Sequence, residues 1–101
     1  MRNIVLFCVN GMSSGLVVER MQQAADKQGY ECKVISYALG NSGDVAKLNP
    51  DCVLLSPQAR YLLPQFKEQM PCPVANIDMM AFGRMNGEKV LQQAKELMGD
   101  A

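Results

Sequence analysis

The chain has no histidine among its 101 residues. That excludes a Ser-His or Cys-His dyad and an imidazole metal site built from this chain alone. Net charge is missing too. Ten Lys and Arg balance ten Asp and Glu, so neither nucleic acid nor an acidic membrane surface is expected as a partner. No apolar run approaches the roughly 20 residues that span a bilayer. Met1-Arg2-Asn3 leads into a strand-length run without a signal-peptide cleavage pattern, and the expected location is the cytoplasm. The four cysteines, Cys8, Cys32, Cys52 and Cys72, include no C-x-x-C pair, which removes the usual dithiol redox and zinc motifs. In a reducing compartment they stay as thiols. Repeats, linkers and low-complexity segments are also absent. With 49% hydrophobic residues, the expectation is one compact domain over residues 1–101.

What is present is concentrated in Cys8-Val9-Asn10-Gly11-Met12-Ser13-Ser14. It follows the apolar run Ile4-Val5-Leu6-Phe7 and precedes a segment with helical periodicity. A thiol therefore stands where a buried strand ends and small residues lead into a helix N-terminus. Unpaired backbone N–H groups and the helix dipole favour negative charge there. Such a place holds an anion and makes Cys8 a stronger nucleophile than an ordinary cysteine. Gly11 permits a turn with positive φ, and Ser13 or Ser14 can cap the helix or donate to the anion.

Taken in order, Asn3 to Cys8 reads as a first strand, buried on both faces. The next helix carries Leu16, Val17, Met21, Ala24 and Ala25 as its apolar stripe, with Gly29 as its stop. Glu31 to Tyr37 reads as an edge strand, its pattern mixed rather than continuously apolar. Gly40-Asn41-Ser42-Gly43 is turn-rich, with a short helix expected over Asp44 to Leu48. Cys52-Val53-Leu54-Leu55 is a third, buried strand. Ser56-Pro57 then reads as N-cap and first helical residue. Ala59, Leu62, Leu63, Phe66 and Met70 continue the helical stripe, and Pro64 predicts a kink or restart within it. Val74 to Ile77 is a fourth strand, followed by a loop or short helix over Asp78 to Met85. Asn86 caps the last helix, whose inner face is Val90, Leu91, Ala94, Leu97 and Met98. Cys32 and Cys52 lie in strand-like runs and read as small buried hydrophobes.

Strands alternating with helices imply an α/β domain with a parallel sheet covered on both faces. The expected arrangement is four strands in the order 2-1-3-4, flavodoxin-like. In it the first and third strands flank the switch point, where ligands sit beyond the carboxyl ends. Cys8 and Ser56-Pro57-Gln58 then open onto one crevice, and Asp78 lies along the same edge.

Low-molecular-weight tyrosine phosphatases place C-x5-R after the first strand of a similar sheet. Here the sixth residue after Cys8 is Ser14. The guanidinium that would grip a transferring phosphoryl group is missing. Hydrolysis should be slow, and a thiophosphate formed at Cys8 should persist, as a carrier needs. The readings that stand side by side at this point are a buried structural cysteine before an ordinary Gly/Ser turn, a phosphoryl carrier, a phosphatase-like hydrolase, and a thiol redox or sensor protein, the last weakened by the lack of a resolving cysteine.

Across essentially its whole length the chain resembles a lactose/cellobiose-type enzyme IIB component (type 3) of the bacterial phosphoenolpyruvate-dependent sugar phosphotransferase system. The resemblance rests on Leu6-Phe7-Cys8 with Gly11-Met12-Ser13, on Val53-Leu54-Leu55-Ser56-Pro57-Gln58, and on Tyr61-Leu62-Leu63-Pro64. Ile77-Asp78 and Phe82-Gly83-Arg84-Met85-Asn86-Gly87 complete it. The resemblance implies a phosphotransferase in which a phosphohistidine of a IIA protein donates to Cys8. Phosphocysteine then passes the group to a sugar held by a membrane IIC component. The sugar would be a β-linked disaccharide such as cellobiose, chitobiose or lactose. It further implies a cytoplasmic protein docking peripherally on IIC, with Val9 to Ser14 as the phosphate cradle. Gln58, Asp78 and Phe82 are expected at the rim, with Met12, Met79 and Met80 as partner contacts. For Asp78 the competing reading is a turn cap. No cofactor or metal is called for. Departures from the family's usual pattern are Val9-Asn10 after the cysteine, Ser13-Ser14-Gly15 after the methionine, and Phe82 in place of a tyrosine.

Overall fold

Two short apolar runs fix the centre of the molecule. Ile4–Phe7 and Cys52–Leu55 are almost completely buried, which requires cover on both faces and a neighbour on each edge. The structure, a computed structural model, describes residues 1–8, 11–38 and 45–100, with residues 11–14 and 38 described through the backbone alone. Strand β1 (Arg2–Cys8) and strand β3 (Cys52–Leu55) run parallel, Ile4 opposite Cys52 and Phe7 opposite Leu55. On the other edge of β1 lies β2 (Cys32–Ala38), with Cys8 opposite Ala38. β4 (Val74–Asn76) pairs with β3, Leu55 opposite Asn76. The sheet order is β2-β1-β3-β4, as expected, and β2 is the edge strand its mixed pattern suggested.

Alternation along the strands divides the core in two. Ile4, Leu6, Cys8, Cys52 and Leu54 face helices α1 (Gly11–Gln28), α3 (Met79–Gly83) and α4 (Gly87–Met98). Val5, Phe7, Val53 and Leu55 face Val45, Ala59 and Phe66. These last two come from a 3₁₀ turn (Pro57–Leu62) and from α2 (Leu63–Gln69). Pro64 stands in the first turn of α2, where its missing N–H costs no helical bond. The expected restart is therefore real.

Several local expectations shift. α1 opens at Gly11, so Ser13 and Ser14 fall in its first turn and neither is its cap. Leu16 is 37% exposed. The inner face is Val17, Met21 and Ala25, four residues apart, and Leu16 belongs instead to the outer row with exposed Arg20. β2 begins one residue later than Glu31 and reaches Ala38. β4 ends at Asn76, although the Ile77 N–H still donates to the Leu55 carbonyl at 2.8 Å. Val45 and Ala46 are helical, with a turn through Leu48. Asp44 and the turn expected over 40–43 lie outside the described residues. Asn86 caps α4 through Oδ1, accepting from the Lys89 N–H at 3.1 Å. Gly29 and Gly99 close α1 and α4 with φ of 69° and 78°, a region that strains any residue with a Cβ. Cys32 and Cys52 are buried, and Cys72 is half-buried.

The amino end of the sheet is clasped by charge. Arg2 Nε donates to Asp100 Oδ2 and Nη2 to Oδ1, both at 2.9 Å. Nη1 lies 3.6 Å from Asp51 Oδ1. The Tyr30 hydroxyl also donates to Asp100 Oδ2. This joins β1, β3 and the end of α4 at the pole opposite Cys8.

Candidate functional site

Cys8 is the last residue of the central strand β1, and α1 opens three residues later. At the same level β3 ends in Leu55 and β4 in Asn76. The ladder runs on past both ends: the Ser56 N–H donates to the Phe7 carbonyl at 2.9 Å, and Ile77 to Leu55 as above. The segments after β1, β3 and β4 therefore leave the sheet along one carboxyl edge. Ligands of open parallel sheets bind at such an edge, between the strands where the order reverses. Cys8 is only 2% exposed and packs with Leu6, Val17, Leu54 and Phe82 in one cluster, which limits the access of water to its sulfur.

Val9 and Asn10 lie outside the described residues. Gly11, Met12, Ser13 and Ser14 form the first turn of α1, so their backbone N–H groups include those without helical acceptors. That turn can hold an anion beside Cys8 through main-chain groups.

The remaining rim residues divide. Gln58 is exposed and Phe82 buried. With Pro57, Arg60, Met79 and Gly83 they line one groove. Met79 and Met80 stand 62% and 61% exposed on the short helix beside it. Asp78 is placed differently. Its Oδ2 accepts from the Ala81 N–H at 3.0 Å and caps α3, and it lines a separate hollow with Lys89, Gln93 and Glu96. Its N–H donates to Gln93 Oε1 at 3.0 Å, while Gln93 Nε2 donates to the Asn76 carbonyl at 2.6 Å. The geometry thus favours the capping reading of Asp78, and Gln93 pins the turn after β4.

The sequence places Ser56 at the crevice and expects it to act as a cap. Ser56 does occupy the N-cap position of the 3₁₀ turn, but its side chain makes no capping bond. The residue is 0% exposed, and among the described residues its Oγ has no hydrogen-bond partner. A serine followed by proline at the end of a continuous apolar strand is the one sequence signal that marks it.

The other thiols are poor nucleophiles. Burial pushes Cys52 up to about 12, with Cys72 and Asp51 adding to the effect. Burial raises Cys32 and Cys72 as well. Among the described residues no group of three or more His, Cys, Asp or Glu side chains is placed to hold a metal ion, and no helix is long and apolar enough to cross a membrane.

Known proteins resemble this chain in sequence and in fold. The oligo-beta-mannoside-specific EIIB component of the PTS system of Bacillus subtilis (strain 168) is 36% identical over 104 residues, 97% of each chain. The cellobiose-specific EIIB component of Lactococcus lactis subsp. lactis (strain IL1403) is 30% identical, covering 94% of each. Among solved structures, the lactose-specific IIB component domain from Streptococcus pneumoniae superposes with a TM-score of 0.81 at 19% identity, covering 95% of this chain and 96% of that one. The cellobiose-specific IIB component protein from Borrelia burgdorferi gives 0.72 at 28% identity, covering 98% and 93%. Residues 3–93 match the family described as PTS system, Lactose/Cellobiose specific IIB subunit, and the chain belongs to that family.

Proposed function

We propose that Cys8 is the phosphoryl carrier of this IIB component. IIB components of this system are phosphotransferases that work with IIA and IIC partners. In this reading a phosphohistidine of IIA docks over the carboxyl edge of the sheet. The Cys8 sulfur attacks phosphorus in line, the N–P bond breaks as the S–P bond forms, and the imidazole leaves. A second transfer breaks the S–P bond and places the phosphoryl group on a sugar hydroxyl held by membrane IIC. Positioning and backbone N–H groups of Val9 to Ser14 supply most of the stabilisation.

The observation that carries this reading is the position of Cys8. It ends the central strand, directly before a helix N-terminus, at the switch point of a parallel sheet. Ser14, where a phosphatase needs arginine, favours a lasting phosphocysteine over turnover. Gln58 and Phe82 form the rim, and Met12, Met79 and Met80 meet the partners. Residues 1–101 act as one domain in the cytoplasm, docking on IIC. The sugar belongs to the β-linked disaccharides, a class in keeping with a cellobiose-specific relative.

Intact mass after incubation with phosphoenolpyruvate, the general phosphotransferase proteins and a matching IIA tests the proposal. Wild type is expected to gain one phosphate and Cys8→Ser none. No gain with any IIA, together with steady aryl-phosphate hydrolysis, would replace the carrier with a phosphatase.

A further inference from the structure

Among the described residues, two buried side-chain atoms lack a hydrogen-bond partner: Ser56 Oγ and Asn76 Oδ1. Leaving a buried hydroxyl unpaired is costly, and such groups in folded proteins call for an explanation. Both lie at the carboxyl edge of the sheet, at the ends of β3 and β4.

Their faces differ. Asn76 is in register with Leu55, which is in register with Phe7, so it emerges on the side away from Cys8. Ser56 emerges on the other side. Cys52 and Leu54 share the Cys8 cluster, whereas Val53 and Leu55 belong to the opposite one. Ser56 continues the ladder through its N–H to Phe7, with extended φ and ψ of −60° and 158°. Period-two alternation therefore puts its side chain on the Cys8 face. Adjacent strands are about 4.8 Å apart, so Ser56 is the next residue along the sheet edge from the thiol.

We propose that the Ser56 hydroxyl is a positioning donor for the phosphoryl group on Cys8. The proposal rests on the carrier reading above. When the S–P bond forms, Ser56 Oγ–H donates to a non-bridging phosphoryl oxygen and keeps its own proton throughout. The backbone of α1 holds the group from the helix side, and Ser56 holds it from β3. Because the hydroxyl has no partner to give up among the described residues, it is already desolvated and available when the charge arrives, as preorganised donors are.

The test compares wild type, Ser56→Ala, Ser56→Gly and Ser56→Thr. Loss of one hydrogen bond to a charged group predicts roughly tenfold slower phosphoryl transfer from IIA to Cys8 in Ser56→Ala. The half-saturating IIA concentration should not change, and the ³¹P resonance of phosphocysteine should move. Ser56→Thr, which keeps the hydroxyl, should restore both rate and resonance relative to Ser56→Ala. Thermal unfolding separates this from a structural role. Removing an unpaired buried hydroxyl should leave Ser56→Ala at least as stable as wild type, whereas a structural serine would lose stability. Ser56→Gly gives the same kinetic comparison should Ser56→Ala fail to fold. Wild type that takes up no phosphate would sink the carrier reading and this proposal together. Labelled wild type whose transfer rate and ³¹P resonance are matched by Ser56→Ala would sink the proposal alone.

Discussion

A Cβ placed on Gly87 would stand 2.4 Å from the carbonyl carbon of Arg20 and 2.5 Å from the Met21 nitrogen. The first turn of α4 thus rests directly on the backbone of α1. Backbone cannot swing aside as a side chain can, so Gly87→Ala must push the two helices apart. The expected cost is about 1–3 kcal/mol, read as a lower urea midpoint with an unchanged slope. A midpoint equal to wild type would show that the interface has slack. Arg20 also donates from Nη1 to the Met85 carbonyl at 3.1 Å, so the same displacement loosens the turn between α3 and α4.

The clasp at the amino pole predicts sensitivity to acid. Hydrogen bonds from Arg2 and then Tyr30 hold the Asp100 carboxyl below the usual carboxylate range. A carboxylate depressed in the folded state contributes stability above its unfolded value of about 4. That contribution is lost as pH falls through the depressed value. Asp100→Asn should therefore show a flatter stability profile below about pH 4, measured by urea unfolding across a pH series. Equal slopes for the two proteins would remove Asp100 as the source.

At alkaline pH the same clasp works with the opposite sign. Burial, and then the bond to Asp100, raise the Tyr30 hydroxyl above its ordinary value. A raised group stabilises fully below its unfolded value and loses that contribution as pH climbs past about 10. Tyr30→Phe should resist base better than wild type in thermal melts.

Alkylation discriminates among the thiols. Cys52 is fully buried and pushed up to about 12, so iodoacetamide should leave it unmodified in the folded protein and label it only in denaturant. Peptide mass mapping with and without urea reads this directly. Native labelling of Cys52 would mean that β3 opens far more readily than its burial implies.

Met79 and Met80 offer a test of the partner surface. Both are exposed, so Met79→Asp should change stability by no more than about 0.5 kcal/mol. Transfer from IIA should nevertheless slow, because a charge is placed beside the groove of Gln58 and Phe82. Unchanged transfer kinetics would take this helix out of the docking face.

Sheet order and the place of Cys8 were legible because long-range physics writes them plainly. Ile4–Phe7 and Cys52–Leu55 are apolar without interruption, which only interior parallel strands require. Asn86 and Gly29 were equally readable, since caps and stops act locally. Leu16 was not. On one helix, whether a leucine joins the buried stripe depends on how the sheet and the neighbouring helix lie, which the helix's own residues do not show. Asp78 read as a turn cap slightly ahead of a site residue, and the Ala81 and Gln93 bonds favour the cap. The state of Ser56 was hidden for a different reason. A sequence shows that a hydroxyl exists but not that folding buries it without a partner among the described residues.

The central position of β1 bears on how the chain comes into being. Among the strands of this sheet β1 is synthesised first, yet it is buried between β2 and β3. Its partner Cys52–Leu55 emerges only after the whole of α1, β2 and the segment beyond. At ordinary synthesis rates the nascent Ile4–Phe7 segment waits on the order of several seconds for that partner. During this interval its apolar side chains and unpaired amides face the cellular milieu. The strand that ends in Cys8 is therefore a segment that a chaperone would shield during translation.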